Sequence, residues 1–70
     1  MKIYGKSVEI KKARIYMGLS QRDLSSLCGL SHPYISLIEN SKKSMSPKTA
    51  KKISSVLEKD WRDLFYMLEE

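Results

Sequence analysis

Between residues 20 and 40 the chain leaves little freedom in how it folds. Ser20-Gln21-Arg22-Asp23 is a Ser-x-x-Asp sequence, in which a serine caps a helix and the carboxylate three residues on returns to the cap amide. Leu24, Leu27 and Cys28 follow at the spacing of an inward face, and Gly29 stops the helix. Only Leu30 separates that glycine from Ser31, the cap of a further helix running to about Asn40, with Pro33 harmless in its first turn. Two helices joined this closely must cross sharply, and glycine supplies the positive φ such a turn requires. Leu24, Leu30, Ile35 and Ile38 lock the pair together and onto a core, which leaves His32, Pro33, Ser36, Leu37 and Asn40 on the outer side.

The flanking sequence reads as more short helices. Ser7 caps one over about Val8 to Met17, with Ile10, Ala13 and Met17 as its apolar stripe and Gly18 past its end. Ser46-Pro47 is a cap followed by proline at the first helical position. The helix it opens has Ala50, Ile53, Val56 and Leu57 on the apolar face and Lys48, Lys51 and Lys52 largely opposite. Asp60 caps a final helix from Trp61 to about Leu68, with Asp63 completing a box-like pair. No alternating strand pattern persists for more than a few positions. The expectation is an all-α fold: a single domain over residues 1–70, five helices, with the helix-turn-helix at helices two and three.

Seventy residues and 8.1 kDa leave no room for a large enzymatic cleft. One cysteine beside one histidine builds neither a disulfide nor a zinc cage, and no nucleophile–base pair or phosphate-cradling loop is visible. No enzyme activity, metal or cofactor is expected. Cys28 reads as a small core residue. No apolar run approaches the ~18–20 residues of a membrane span, and the N-terminus lacks a signal-like stretch, so a cytoplasmic protein with no membrane partner is expected. Charge is asymmetric: residues 1–55 carry 11 basic and 3 acidic side chains, residues 56–70 carry 2 and 5. A basic body with an acidic end points to an anionic partner on one side and a separate task for the other.

Gln21 to Asn40 resembles the helix-turn-helix of phage repressor and Cro-type (XRE-like) transcriptional regulators, through Ser20, Gln21, Leu24, Gly29, Ser31, Ile35, Ser36 and Glu39, with Leu30 in place of the usual valine. Ile10 and Arg14 fit the family's first helix; Ser46 to Ile53 with Leu57 fit its fourth, and Asp60-Trp61 with Leu64-Phe65 its last. The resemblance covers about residues 7–68. It implies a compact lambda-repressor-like domain that sets the helix at about 31–40 in the major groove of double-stranded DNA. The implied DNA-binding set is Gln21, Ser31, His32, Pro33, Tyr34, Ser36, Leu37, Asn40, Lys42 and Lys43. Within it Gln21 meets a phosphate and braces the first residue of the recognition helix. His32, Pro33, Ser36 and Leu37 face bases, Asn40 meets the backbone, and Lys42 and Lys43 track phosphates. Tyr34 either reaches phosphate or a base edge or packs on helix two; Lys6 and Lys11 are further candidates. Arg14 and Glu39 match a structural ion pair.

Two departures stand out: Ser25 replaces a customary alanine, and Ser41 stands where glycine is common. Helix three also lacks the Arg, Gln or Lys that reads guanine and adenine bidentately. The apolar end at Trp61, Phe65, Tyr66 and Met67 is a candidate dimer interface, pointing to a homodimer on a palindromic operator with half-sites about one helical turn apart. The functional expectation is a small dimeric repressor of phage or mobile-element type. The alternatives are a restriction-modification controller, or an interaction module such as an antitoxin or adaptor whose tail grips a regulatory protein partner.

Overall fold

The computed structural model describes residues 1–69. Strand β1 (Lys2–Gly5) leads into α1 (Ser7–Tyr16), α2 (Gln21–Cys28), α3 (His32–Glu39), α4 (Pro47–Leu57), α5 (Trp61–Leu64) and strand β2 (Phe65–Leu68). The fold class is all-α with five helices, to which one small two-stranded sheet is added.

Local chemistry accounts for the helix ends. Ser20 Oγ accepts from the Asp23 amide at 3.0 Å while the Asp23 carboxylate accepts from the Ser20 amide at 2.9 Å. These bonds hold the Asp23 carboxyl below its ordinary pKa. Gly29 closes α2 in the left-handed region at φ 67°, and Ser31 and Ser46 cap α3 and α4 through the Tyr34 and Thr49 amides. Helix α1 starts one residue earlier than its sequence indicates: Ser7 lies inside it, and Lys6 at the cap position makes no side-chain capping bond.

Ile10, Ala13, Leu24, Cys28, Ile35, Ile38, Ala50, Ile53, Leu57, Leu64 and Phe65 form the core, sealed from the edges by Ile3 and Met45. Leu27 and Met17 were expected inside and are not: Leu27 is 59% exposed on α2, and Met17 lies exposed just past the end of α1. Leu24, Cys28 and the half-buried Leu30, also expected inside, do make the core contacts at the turn.

The C-terminal element departs most from expectation. The helix begun at Asp60 lasts only to Leu64, and Phe65–Leu68 pairs antiparallel with Lys2–Gly5, placing Tyr4 opposite Tyr66 and Gly5 opposite Phe65. Asp63 does not complete a capping box; the Asp60 carboxylate accepts instead from the amide and guanidinium of Arg62. As a strand, the segment buries Phe65 against Trp61, stacks Tyr66 on Tyr4 at 5.9 Å, and gains backbone bonds to β1. Leu68, at its end, is half exposed.

The ladder fixes which way each backbone group faces. Lys6 N–H donates to Leu64 C=O at 2.7 Å, so residues 2, 4 and 6 bond across to β2 and the polar groups of Ile3 and Gly5 turn the other way. There the Ile3 carbonyl accepts from the Met45 amide at 2.9 Å and the Gly5 carbonyl accepts from Ser41 Oγ. Ser41 adopts φ 57°, which accounts for the glycine common at this place, and its hydroxyl ties the loop after α3 to β1. Gly5 is the close-approach glycine. A Cβ there would overlap Ile10 Cδ1 and lie 2.8 Å from the Ile38 carbonyl oxygen. Gly5→Ala is therefore expected to lower stability by about 1–3 kcal/mol in urea unfolding, because β1 must back away from α3. An unchanged midpoint would show that β1 does not pack against α3 as described.

Candidate nucleic-acid interface

The outer face of α3 is positioned from beneath by one buried carboxylate. Glu39, at the C-terminal end of α3, has a fully buried side chain. Arg14 of α1 donates Nε to Glu39 Oε2 at 2.9 Å and Nη2 to Oε1 at 3.3 Å, and its Nη1 donates to the Leu19 carbonyl at 2.8 Å. Gln21, the first residue of α2, donates Nε2 to Glu39 Oε1 at 3.4 Å, and its Oε1 lies 3.1 Å from His32 Nε2. One network therefore runs from α1 through the end of α3 to the start of α2 and back to the first residue of α3. Among the described residues no buried side-chain nitrogen or oxygen lacks a partner. That satisfaction is what makes a buried charge tolerable here.

On the solvent side, Ser31, His32, Pro33, Leu37 and Asn40 are exposed, with Tyr34 and Ser36 half buried. Ser31 spends its hydroxyl on the helix cap. Asn40 donates to the Ser36 carbonyl at 2.9 Å and accepts from Lys11 Nζ at 3.1 Å, which brings α1 cationic charge to the end of α3. Lys43 Nζ sits 5.8 Å from the centre of the Tyr34 ring, a cation–π distance, so Tyr34 leans toward the loop lysines. Lys42 and Lys43 are exposed beside it. Lys6 turns elsewhere and donates to the Arg62 carbonyl. The surface thus gathers an amide, an imidazole, hydroxyls and three lysines around one short helix, with no strong bidentate base reader on the helix itself.

A profile of the helix-turn-helix family HTH_3 matches residues 10–64. The chain belongs to this family. The matched segment includes the turn Gly29-Leu30-Ser31 that joins α2 to α3. Solved structures agree on the architecture. The restriction-modification controller protein C.AhdI from Aeromonas hydrophila is similar at 26% identity and TM-score 0.75, over 81% of this chain and 86% of that one. A putative DNA-binding protein from Bacteroides fragilis, at 23% identity and TM-score 0.75 over 91% and 98%, shares the fold. An HTH_3 family transcriptional regulator from Vibrio cholerae is 30% identical with TM-score 0.71; 81% of this chain aligns with 32% of that longer one. No curated protein matches the sequence.

Among the described residues no group of three or more His, Cys, Asp or Glu is placed to hold a metal ion, and no helix is long and apolar enough to cross a membrane. Cys28 is buried, and desolvation raises its pKa, which disfavours the reactive thiolate. Of the apolar C-terminal residues, Phe65 is only 2% exposed and Trp61 packs against the core, so the exposed part of that cluster is Tyr66, Met67 and Leu68.

The ion pair yields a direct test. Arg14→Met strands Glu39 as a buried, unpaired charge, which is expected to cost ~3–5 kcal/mol. A chain this small has about that much stability in total, so circular dichroism should show Arg14→Met largely unfolded at 25 °C. A variant that kept its helical signal and unfolding midpoint would contradict this role for the pair.

Proposed function

We propose that this chain, a DNA-binding regulator of the helix-turn-helix family, acts as a dimeric transcriptional repressor that sets α3 in the major groove of a palindromic operator. The observation that carries the reading is the exposed outer face of α3, held by the Arg14–Glu39–Gln21 network and flanked by Lys11, Lys42 and Lys43. A single helix fits a groove about 12 Å wide. In this reading His32, Pro33, Ser36 and Leu37 face bases. Gln21, Ser31, Tyr34, Asn40, Lys42 and Lys43 line the phosphates, which set register and orientation. The protein catalyses no reaction and works in the cytoplasm.

Selection of sites from a random duplex library at physiological salt tests this. Recovery of a palindrome is the expected result; no enrichment by folded protein would overturn the reading in favour of a partner-binding module. Phosphate contact has its own signature. Lys43→Ala is expected to reduce the slope of log affinity against log salt by roughly 0.9 without changing the selected sequence, whereas an unchanged slope would place Lys43 off the DNA.

The dimer reading draws support from the outer edge of β2. Because residues 64, 66 and 68 bond to β1, the N–H and C=O of Met67 face away from it, beside exposed Tyr66, Met67 and Leu68. A second β2 can add there about a two-fold axis, antiparallel, extending the sheet. Met67→Pro removes only that outward N–H, a position where an edge strand tolerates proline. It is expected to give a folded monomer by analytical ultracentrifugation, with weaker binding to the full palindrome. A persistent dimer would place the interface elsewhere.

A restriction-modification controller is the second reading, favoured by the similarity to C.AhdI over 86% of that protein. A reporter driven from the selected operator separates the two, since a repressor lowers expression and an activating controller raises it.

A further inference from the structure

His32 is the chain's one histidine and opens the recognition helix, and the network beneath it dictates which way its ring hydrogen bonds run. Arg14 donates to both oxygens of the buried Glu39, so that carboxylate acts as an acceptor toward every neighbour. The end of the Gln21 side chain that faces Glu39 must therefore be its NH2 group, which turns the Gln21 carbonyl toward His32. A carbonyl only accepts. The imidazole nitrogen 3.1 Å from it, Nε2, must carry the hydrogen. In a neutral ring the other nitrogen then presents a lone pair, and His32 is exposed, with no protein partner for Nδ1 among the described residues.

We propose that buried Glu39, acting through Gln21, fixes His32 as the Nε2–H tautomer and thereby makes it a specificity-determining residue that reads a base-edge hydrogen-bond donor. In the major groove the donors are the amino groups N6 of adenine and N4 of cytosine, while guanine offers only the acceptors N7 and O6 and thymine offers O4. The same lone pair cannot hold a phosphate oxygen, so His32 contributes to sequence choice and not to backbone affinity. This accounts for how a recognition helix without Arg, Gln or Lys discriminates bases. Polarity comes from a carboxylate that never touches DNA. The inference rests on the reading that α3 enters the major groove.

Two measurements separate its failure from the failure of that reading. The first needs no DNA. Nitrogen-15 NMR of the full chain, at a pH where imidazole is neutral, resolves the two ring nitrogens of the lone histidine. The ratio of Nε2–H to Nδ1–H is expected to exceed that of a histidine in an unstructured peptide by roughly fivefold, the bias an ordinary hydrogen bond adds, and to fall back to the peptide ratio in Gln21→Met. A dominant Nδ1–H form, or a ratio that Gln21→Met leaves unchanged, overturns the proposal whatever the protein does with DNA. The second measurement compares sites selected by the wild type, His32→Ala and His32→Lys. One position in each half-site is expected to be adenine or cytosine for the wild type, to lose its preference in His32→Ala, and to become guanine in His32→Lys, whose donors suit N7 and O6. Guanine at the His32-dependent position, or selected sites identical in all three proteins, overturns the base assignment while leaving major-groove binding intact. No enrichment by any of them, with the protein folded, overturns both.

Discussion

A carboxylate removed from water is costly unless donors surround it, and the position of α3 depends on how this chain surrounds one. Glu39 receives the Nε and Nη2 groups of the Arg14 guanidinium and the amide of Gln21. Apolar packing by Ile35 and Ile38 presses α3 onto the core. The ion pair adds a directional constraint, since a small shift of the helix would leave a charge buried and unmet. It therefore sets the axial position of α3 against α1, while Gln21 passes the same constraint to His32 at the other end of the helix. The exposed face inherits its geometry from a group that solvent never reaches.

The two chain ends reinforce that arrangement from the far side. Strand β1 lies so close to α3 that Gly5 has no room for a Cβ, and Ser41 bonds from the loop after α3 to the Gly5 carbonyl. Met45 extends the contact by donating to Ile3. The loop that presents Lys42 and Lys43 is thus fastened at both ends and does not hang free. Acidic side chains gather at the opposite end of the chain, around Asp60, Asp63 and Glu69, where β2 carries its outward-facing edge.

Much of this was legible in the sequence, because most of it is local. Ser20, Ser31, Ser46 and Asp60 start helices by chemistry confined to three or four residues, and Gly29 ends one by its left-handed backbone. Family resemblance then pointed to Arg14 and Glu39, and the two side chains meet at 2.9 Å. Non-local pairing was the part that escaped. Phe65-Tyr66-Met67-Leu68 is apolar throughout, since Phe65 packs into the core and Tyr66 stacks on Tyr4 across the sheet, so no polar alternation marks a strand. Its partner, Lys2–Gly5, comes from the other end of the chain, and only the folded α1 and α5 bring the two together. Lys11 was ambiguous for a similar reason: its place beside Asn40 follows from how α1 crosses α3, which periodicity does not reveal.

We propose that the outer face of α3, with the start of α2 and the loop after α3, is the surface that meets DNA. Backbone amide chemical shifts of the nitrogen-15-labelled chain, followed as a selected duplex is added, test it most directly. Large perturbations are expected on Gln21 and on residues 31–43, with Lys11 beside them, while β2 stays unmoved by a single half-site. Perturbations centred instead on the exposed side of α1 at Val8 and Ile15, or spread without focus over every lysine, would contradict it.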